Sequence, residues 1–248
     1  MALYSNVSPI TIVPIPSGAS LILDANTLSG ATSPDGTCSV SSWNDSSGAG
    51  NNGTINCATG GGFSGSGIPS DPYRVTFNGL STSVTTTLNA QNDTMPNATW
   101  LAWVKPTSTA FQHILSIDNH SGAFNRSLVI DNNSQRYGIF NPFNSIWTTQ
   151  PVEVGKWQFI AVTFTLTDLI FQKNEASMNL GSPPSYISTP QTFTIGRSAG
   201  GLFYFYAGAI GWIAVYPRAL TAEEIQLACL AMVVRFEGAS CYAPPEPE

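Results

Sequence analysis

The chain is divided into short, apolar, β-prone segments by turns rich in glycine, proline, asparagine and serine. Residues 100–104 and 159–164 are apolar at nearly every position, which predicts strands that are buried on both faces. Tyr73, Val75 and Phe77 alternate with polar residues, which is typical of a strand with one buried face. Further strands are predicted at residues 114–117, 128–130, 137–140, 169–172, 193–195 and 209–216. Short strands between turn signals predict an all-β protein built as a sandwich of antiparallel sheets.

The length of 248 residues fits a single sandwich, since all-β domains often fill this length as one unit. We predict an N-terminal extension at residues 1–17, the sandwich at 18–235 and a proline-rich tail at 236–248. Residues 58–71 and 181–190 are predicted to be long loops. The first of these is rich in glycine, but it lacks the Lys-Ser/Thr ending of a phosphate-binding loop.

One helix is predicted near the end of the chain. Thr221 and Glu224 have the spacing of a capping box, in which each side chain accepts a hydrogen bond from the other residue's backbone N–H. Ile225, Ala228, Cys229 and Met232 follow at helical spacing, which predicts a short C-terminal helix packed on the sandwich.

Charge and hydrophobicity argue against nucleic acids and membranes as partners. The formal net charge is −6, and no stretch gathers Lys and Arg into a basic stripe, so we expect no nucleic-acid binding. No run of 18 apolar residues occurs, so we expect no membrane insertion.

Pro9, Pro14 and Pro16 interrupt the candidate apolar run near the start of the sequence, and no secretory signal is visible. We expect an extracellular surface or a virus particle as the location.

The four cysteines fall into two pairs that are close in sequence, Cys38 with Cys57 and Cys229 with Cys241. Of three possible connectivities we predict this local pairing, and four reduced thiols are the alternative. Asn-x-Ser/Thr glycosylation candidates occur at Asn6, Asn44, Asn52, Asn92, Asn97, Asn119, Asn125 and Asn132.

An ordered series of motifs resembles the laminin-G-like, concanavalin A-like lectin/glucanase jelly-roll family. The central motifs are a Trp-Asn-Asp-Ser-Ser-Gly loop that begins at Trp43, a strand at 100–106 and Gly-Lys-Trp at 155–157. The closing motifs are at 194–198, 205–208 and 215–221. The resemblance implies a jelly roll of two sheets, with loops that in some members bind glycans, calcium or proteins. One departure is Asn174, which is followed by Glu instead of the usual Gly of a hairpin turn.

The resemblance to glucanases does not extend to catalysis. Those enzymes place carboxylates in a Glu-x-Asp-x-(x)-Glu pattern on one strand, and this sequence has no such pattern. His113 and His120 lie in no zinc-binding or nucleophile motif. We therefore expect a protein that is not an enzyme and that requires no cofactor.

Two kinds of binding site are predicted. The resemblance makes calcium possible, with Asp24, Asp45 and Asp118 as tentative ligands. Glycan binding calls for exposed aromatic rings beside amides and carboxylates. The candidates for it are Asp118, Asn119, His120, Asn144, Trp147, Tyr204 and Tyr206.

The leading hypothesis is a non-catalytic surface module that binds glycans or neighbouring proteins in a lectin-like manner. The alternative is a structural protein of a virion or another extracellular assembly, which the uncharged polar composition and the proline-rich tail favour. A polysaccharide-degrading enzyme is a third and weaker alternative.

Overall fold

The computed structural model describes residues 13–28, 40–57, 59–118, 125–140, 146–183 and 191–242. Over these residues the chain forms two antiparallel sheets of eight strands each. A short 3-10 helix (Ala25–Leu28) follows the first strand, and one α-helix, α1 (Ala222–Val233), follows the last. The predicted fold class, a two-sheet antiparallel sandwich with one C-terminal helix, is confirmed.

The first sheet contains the long central strands. Its order from one edge is β14-β13-β12-β7-β16-β5-β4, and β1 also pairs with β16. Its members are β1 (Leu21–Asp24), β4 (Gly62–Ser64), β5 (Arg74–Asn78), β7 (Ala98–Pro106), β12 (Gln158–Phe164), β13 (Leu169–Lys173), β14 (Ala176–Asn179) and β16 (Ala207–Tyr216).

The second sheet has the order β11-β10-β9-β8-β15-β6-β3-β2. Its members are β2 (Ser42–Trp43), β3 (Gly53–Asn56), β6 (Ser83–Thr86), β8 (Gln112–Ser116), β9 (Ser127–Asp131), β10 (Arg136–Ile139), β11 (Ile146–Pro151) and β15 (Thr194–Ile195).

Strand β16 organises the first sheet. It pairs with β7 along one side, while its other side is divided between β5 and β1. The register with β7 shifts between Ile210 and Trp212, so Gly211 forms a bulge at the point where the two partners meet. A Cβ atom at Gly211 would lie 2.6 Å from the Phe236 ring. The bulge therefore requires glycine.

The main hydrophobic core lies between the sheets. Trp43, Trp100, Phe77 and Phe164 are almost completely buried there. The Trp100 ring meets Phe164 and Phe193 edge-on, with ring centroids 5.0 Å apart in both pairs. Such edge-to-face contacts add stability beyond the area that they bury.

A second core lies on the outer face of the first sheet, beneath α1. Trp103 stacks on Phe236 with ring centroids 4.8 Å apart, and Trp157 lies 4.6 Å from the same ring. Ile225 and Ala228 of α1 pack against this cluster. Strands β7, β12 and β16 consequently bury both faces, which confirms the double burial predicted for residues 100–104 and 159–164.

Helix α1 begins with the predicted capping box. The Thr221 hydroxyl accepts a hydrogen bond from the Glu224 N–H (3.2 Å), and the Glu224 carboxylate accepts one from the Thr221 N–H (2.9 Å). Arg218 also pairs with Glu224 at 2.6 Å. Hydrogen bonds from Arg218 and then Thr221 lower the pKa of Glu224 to about 2.

A disulfide joins α1 to the end of the described chain. Cys229 and Cys241 are bonded, as the local pairing predicted, and both are buried in the second core. Cys57 is also disulfide-bonded, whereas its predicted partner Cys38 lies outside the described residues. The alternative of four reduced thiols is therefore wrong. Disulfides are typical of proteins that fold in oxidising compartments.

Three local features differ from the sequence pattern. Residues 62–64 form strand β4 inside the predicted loop at 58–71, since they pair with β5. The β13–β14 hairpin forms despite its missing glycine, because Asn174 takes the turn position with a φ of 53°. Phe236 and Cys241, which the sequence assigns to the tail, are buried.

No helix among the described residues is both long and apolar enough to span a membrane.

Candidate functional site

The structure distributes the predicted ligand-binding residues between the core and the surface. Tyr206 is completely buried and contacts Phe77 in the main core, so it is a core residue rather than a surface contact. Its burial raises the pKa of the phenol. Asp118 is also buried, with a carboxylate oxygen that accepts a hydrogen bond from the Asn125 N–H (3.4 Å). Asn119, His120 and Asn144 lie outside the described residues.

Trp147 and Tyr204 are the predicted binding residues that reach the surface. Their exposed fractions are 37% and 41%. Both belong to the outer face of the second sheet, where the register places their neighbours in one row. His113 of β8 pairs with Val129 of β9, Val129 pairs with Gly138 of β10, and Gly138 pairs with Trp147 of β11. Paired residues share a face, so this row crosses four strands, or ~14 Å at the usual strand spacing.

Gly138 allows Trp147 to lie flat in this row. A Cβ atom at Gly138 would come within 2.1 Å of the Trp147 ring. The indole therefore rests directly on the backbone of β10, and 37% of the side chain remains exposed. Any side chain at position 138 would lift the ring from the sheet.

The other end of the row is an aromatic cluster around His113. The Tyr204 ring stacks on His113 with centroids 5.6 Å apart and an interplanar angle of 12°. Phe111 meets Tyr204 edge-on at 4.8 Å, and Phe140 lies 5.3 Å from His113. We call Phe111, His113, Phe140, Trp147, Phe203 and Tyr204 the aromatic strip.

A structured loop presents Phe203 and Tyr204. The Arg197 guanidinium donates to the carbonyls of Ser198 (2.7 Å) and Gly201 (2.8 Å), and the Tyr204 carbonyl accepts the His113 N–H (2.9 Å). Burial lowers the pKa of Arg197. Tyr204 has a φ of 55°, a backbone conformation uncommon outside glycine. Strained residues of this kind concentrate at functional sites.

His113 has a structural environment within the strip. Its Nδ1 lies 2.6 Å from the Ser127 hydroxyl, and both side chains are completely buried. Because Ser127 is sealed from solvent, its hydroxyl has no access to a substrate. This pair therefore supports the rings above it and does not resemble a nucleophile with its base.

The predicted calcium ligands are engaged by protein donors. Both Asp24 oxygens accept hydrogen bonds from the Arg235 guanidinium (2.6 and 2.9 Å). The Asp45 carboxylate accepts four hydrogen bonds of 2.9 Å, from the Ile22 N–H, the Ser47 N–H and hydroxyl, and the Asn51 N–H. Partial burial favours a higher pKa for Asp45, but these hydrogen bonds outweigh it and lower the pKa.

The carboxylates of Asp24 and Asp45 are held by hydrogen-bond donors of the protein. A cation needs several oxygens turned toward one point, whereas Asp24 faces a guanidinium and Asp45 faces backbone N–H groups. Within the described ranges, no group of three or more His, Cys, Asp or Glu side chains converges on a point.

The glycosylation candidates differ in exposure. Asn44, Asn52, Asn97 and Asn132 are exposed and Asn92 is half-buried. Asn125 is completely buried, and its side-chain oxygen accepts the Arg126 N–H, so it cannot carry a glycan in the folded chain. Asn6 and Asn119 lie outside the described residues.

Sequence reasoning missed the role of Phe111, His113 and Phe140. His113 was considered only for zinc-binding and nucleophile motifs, and it belongs to neither. The outward orientation of His113 is hard to recognise in the sequence, because the register of β8 shifts between His113 and Leu115. This shift disturbs the two-residue alternation that marks an outward face. Trp147 and Tyr204 were predicted because Tyr204 lies in the aromatic run at residues 203–206 and Trp147 lies close to Asn144 in the sequence.

Comparisons with known proteins agree with the geometry. Residues 78–226, more than half of the chain, match the family model for the concanavalin A-like lectin/glucanases superfamily of the laminin G type. A comparison with curated protein sequences finds no match.

Solved structures share the fold at low sequence identity. Domain 4 of AbnA, a GH43 extracellular arabinanase from Geobacillus stearothermophilus in complex with arabinotriose, superposes with a TM-score of 0.61 and 16% identity, over 86% of this chain and 98% of that one. Trypanosoma rangeli sialidase gives 0.58 and 16%, over 87% of this chain and 33% of the sialidase. The receptor-binding domain of botulinum neurotoxin C/D mosaic serotype gives 0.54 and 14%, over 86% and 51%.

Proposed function

The chain belongs to the concanavalin A-like lectin/glucanase superfamily, and from this premise we propose that it is a non-catalytic module that binds carbohydrate on the aromatic strip. The observation that carries the proposal is the aromatic strip on the outer face of the second sheet, in which Trp147 lies at one end of the four-strand row and Tyr204 stacks on His113 at the other end. Sugars offer apolar ring faces, and exposed aromatic rings on a rigid sheet complement them.

The rigidity of the strip supports binding. Trp147 rests on the backbone of β10, and Tyr204 is stacked on a buried histidine. Rings that already hold their positions lose little conformational entropy when a ligand covers them. A sugar that covers the exposed apolar surface of Phe203, Tyr204 and Trp147 also removes that surface from water, which favours binding.

The carboxylates support a binding role without catalysis. Glycoside hydrolysis uses two carboxyl groups that flank the scissile bond. Here Glu153 pairs with Lys156 and Lys173, and Glu224 pairs with Arg218. Asp131 of β9 accepts hydrogen bonds within its own turn from Ser134. Each of these groups has a structural partner.

Two relatives in fold support a role in recognition. The arabinanase domain was solved with arabinotriose, and the neurotoxin domain is a receptor-binding domain. The Cys229–Cys241 bond supports action at an extracellular or particle surface, where the ligand is a glycan of a neighbouring molecule.

A glycan array that includes arabinotriose tests the proposal, followed by calorimetric titration of each glycan that binds. Trp147→Ala and Tyr204→Ala should each weaken binding about tenfold or more, as truncation of an aromatic anchor does. Both residues are partly exposed, so the melting temperature should change little.

Tyr242→Ala is the matched control, because Tyr242 is an exposed aromatic residue outside the strip. It should bind like the unmodified chain. An array without any binding, or glycan binding that survives both strip substitutions, would refute the aromatic strip as the site.

A further inference from the structure

A pocket of about 320 Å³ lies on the outer face of the first sheet, on the opposite side of the sandwich from the aromatic strip. Its floor is a row across three strands, in which Thr76 of β5 pairs with Ala209 of β16 and Ala209 pairs with Lys105 of β7. Paired residues share a face. The short side chain of Ala209 between two longer ones leaves the hollow.

The walls of the pocket are apolar on one side and polar on the other. Ala209 and the small accessible part of Trp157 form the apolar side, while the rest of the Trp157 ring is buried in the second core. Asp71, Pro72 and Arg74 also line the pocket. Thr107 and Thr76 bring hydroxyl groups to it, and the Thr76 hydroxyl shares a hydrogen bond with the Ser64 hydroxyl (2.8 Å). An apolar surface beside hydroxyl groups fits a sugar, whose own surface alternates between C–H faces and hydroxyls.

The two basic side chains in the pocket, Arg74 and Lys105, differ in whether an acidic group neutralises them. The Arg74 guanidinium is neutralised by Asp71 at 2.6 Å and also donates to the Pro72 carbonyl at 2.9 Å. Lys105 is half-buried, and its ammonium group makes no hydrogen bond or ion pair with any part of the chain that the structure describes. The pocket therefore keeps one uncompensated positive charge in a chain whose formal net charge is −6.

We propose that this pocket binds a monosaccharide unit that carries one carboxylate, such as a hexuronic acid, with the carboxylate on Lys105 and the sugar ring over Ala209 and the accessible part of Trp157. The volume lies at the lower end of the range for ligand pockets, which suits one sugar ring rather than a chain. The Lys105 ammonium gains a charge-assisted hydrogen bond, which is stronger than one between neutral groups. This site is independent of the aromatic strip.

Calorimetric titration with glucuronic acid, glucose and acetate tests the proposal. Glucuronic acid should bind, whereas glucose lacks the charge and acetate lacks the ring, so both should bind at least tenfold more weakly. Lys105→Met keeps the apolar stem and removes the charge, and it should weaken glucuronic acid binding about tenfold or more.

Lys156→Met is the matched control, because Lys156 is an exposed lysine that pairs with Glu153 outside the pocket. It should bind glucuronic acid normally, and so should Trp147→Ala, which separates this site from the aromatic strip. The melting temperature of Lys105→Met reports whether the variant is folded. Absence of glucuronic acid binding, equal binding of acetate, or full binding by a folded Lys105→Met would overturn the proposal.

Discussion

Asp45 illustrates how one residue can serve the fold where the sequence predicts a ligand site. It lies in the glycine-rich loop after Trp43, where a carboxylate resembles a cation ligand. In the structure, its two oxygens accept hydrogen bonds from Ile22, Ser47 and Asn51, and so connect the loop to β1. Positions 48 and 50 are glycines with φ of 88° and 78°, which lets the chain turn around the carboxylate.

Asp45→Asn should destabilise the protein at neutral pH, and the effect should fade in acid. The folded-state pKa of Asp45 is lowered, so its ionised form contributes stability above the unfolded value of about 3.9. That contribution is lost as the pH falls through the folded pKa. Thermal melts between pH 7 and pH 2 should show a gap between the two proteins that narrows below about pH 4. Asp93→Asn, at an exposed aspartate, is the control, and a gap of constant size would contradict the prediction.

At the scale of elements, helix α1 covers the outer face of the first sheet and creates the second core. It places Ile225, Ala228 and Cys229 over Trp103, and the disulfide to Cys241 holds the following segment in the same core. The capping box fixes where the helix begins, immediately after the turn that follows β16. The position of the helix on the sheet therefore depends on its first turn.

Thr221→Ala should lower the free energy of unfolding by about 0.5–2 kcal/mol, because the Glu224 N–H loses its acceptor. Urea denaturation followed by circular dichroism measures the change. Thr221→Ser keeps the hydroxyl and is the matched control, so it should retain most of the stability. If serine destabilised the protein as much as alanine, the cap would not be the cause.

For the whole molecule, the main and second cores are connected through β7, β12 and β16. Trp100 and Trp103 are three residues apart on β7, yet they belong to different cores. Because these strands bury side chains in both cores, removing them from one core would expose the other core to solvent. The sandwich and the layer of α1 are therefore expected to behave as one cooperative unit.

Thermal unfolding should accordingly show one transition with the same midpoint by far-ultraviolet circular dichroism and by tryptophan fluorescence. The two probes differ, since circular dichroism is sensitive to all strands and the fluorescence comes mainly from rings in the two cores. Two separate midpoints would show that α1 and the second core unfold independently.

Neighbours along the chain specify the local elements and the class of fold. Alternation, double-sided apolar runs and the Thr221–Glu224 spacing depend on neighbours in the chain, so the central strands, the helix and the close pairing of Cys229 with Cys241 could be predicted. The resemblance to the concanavalin A-like family was carried by motifs in order along the chain, and the family match confirmed it.

The candidate sites arise from contacts between residues that are distant in the chain. The aromatic strip depends on the pairing register of β8, β9, β10 and β11, and the charged pocket depends on β5, β16 and β7 lying side by side. Phe111 and Tyr204 are distant in sequence, as are Arg74 and Lys105, and no local period relates them. Tyr206 and Asp118 were predicted to bind a ligand, but the structure buries both. The sequence could not show this, because a polar or aromatic residue looks the same in the sequence whether its side chain points into the sandwich or out of it.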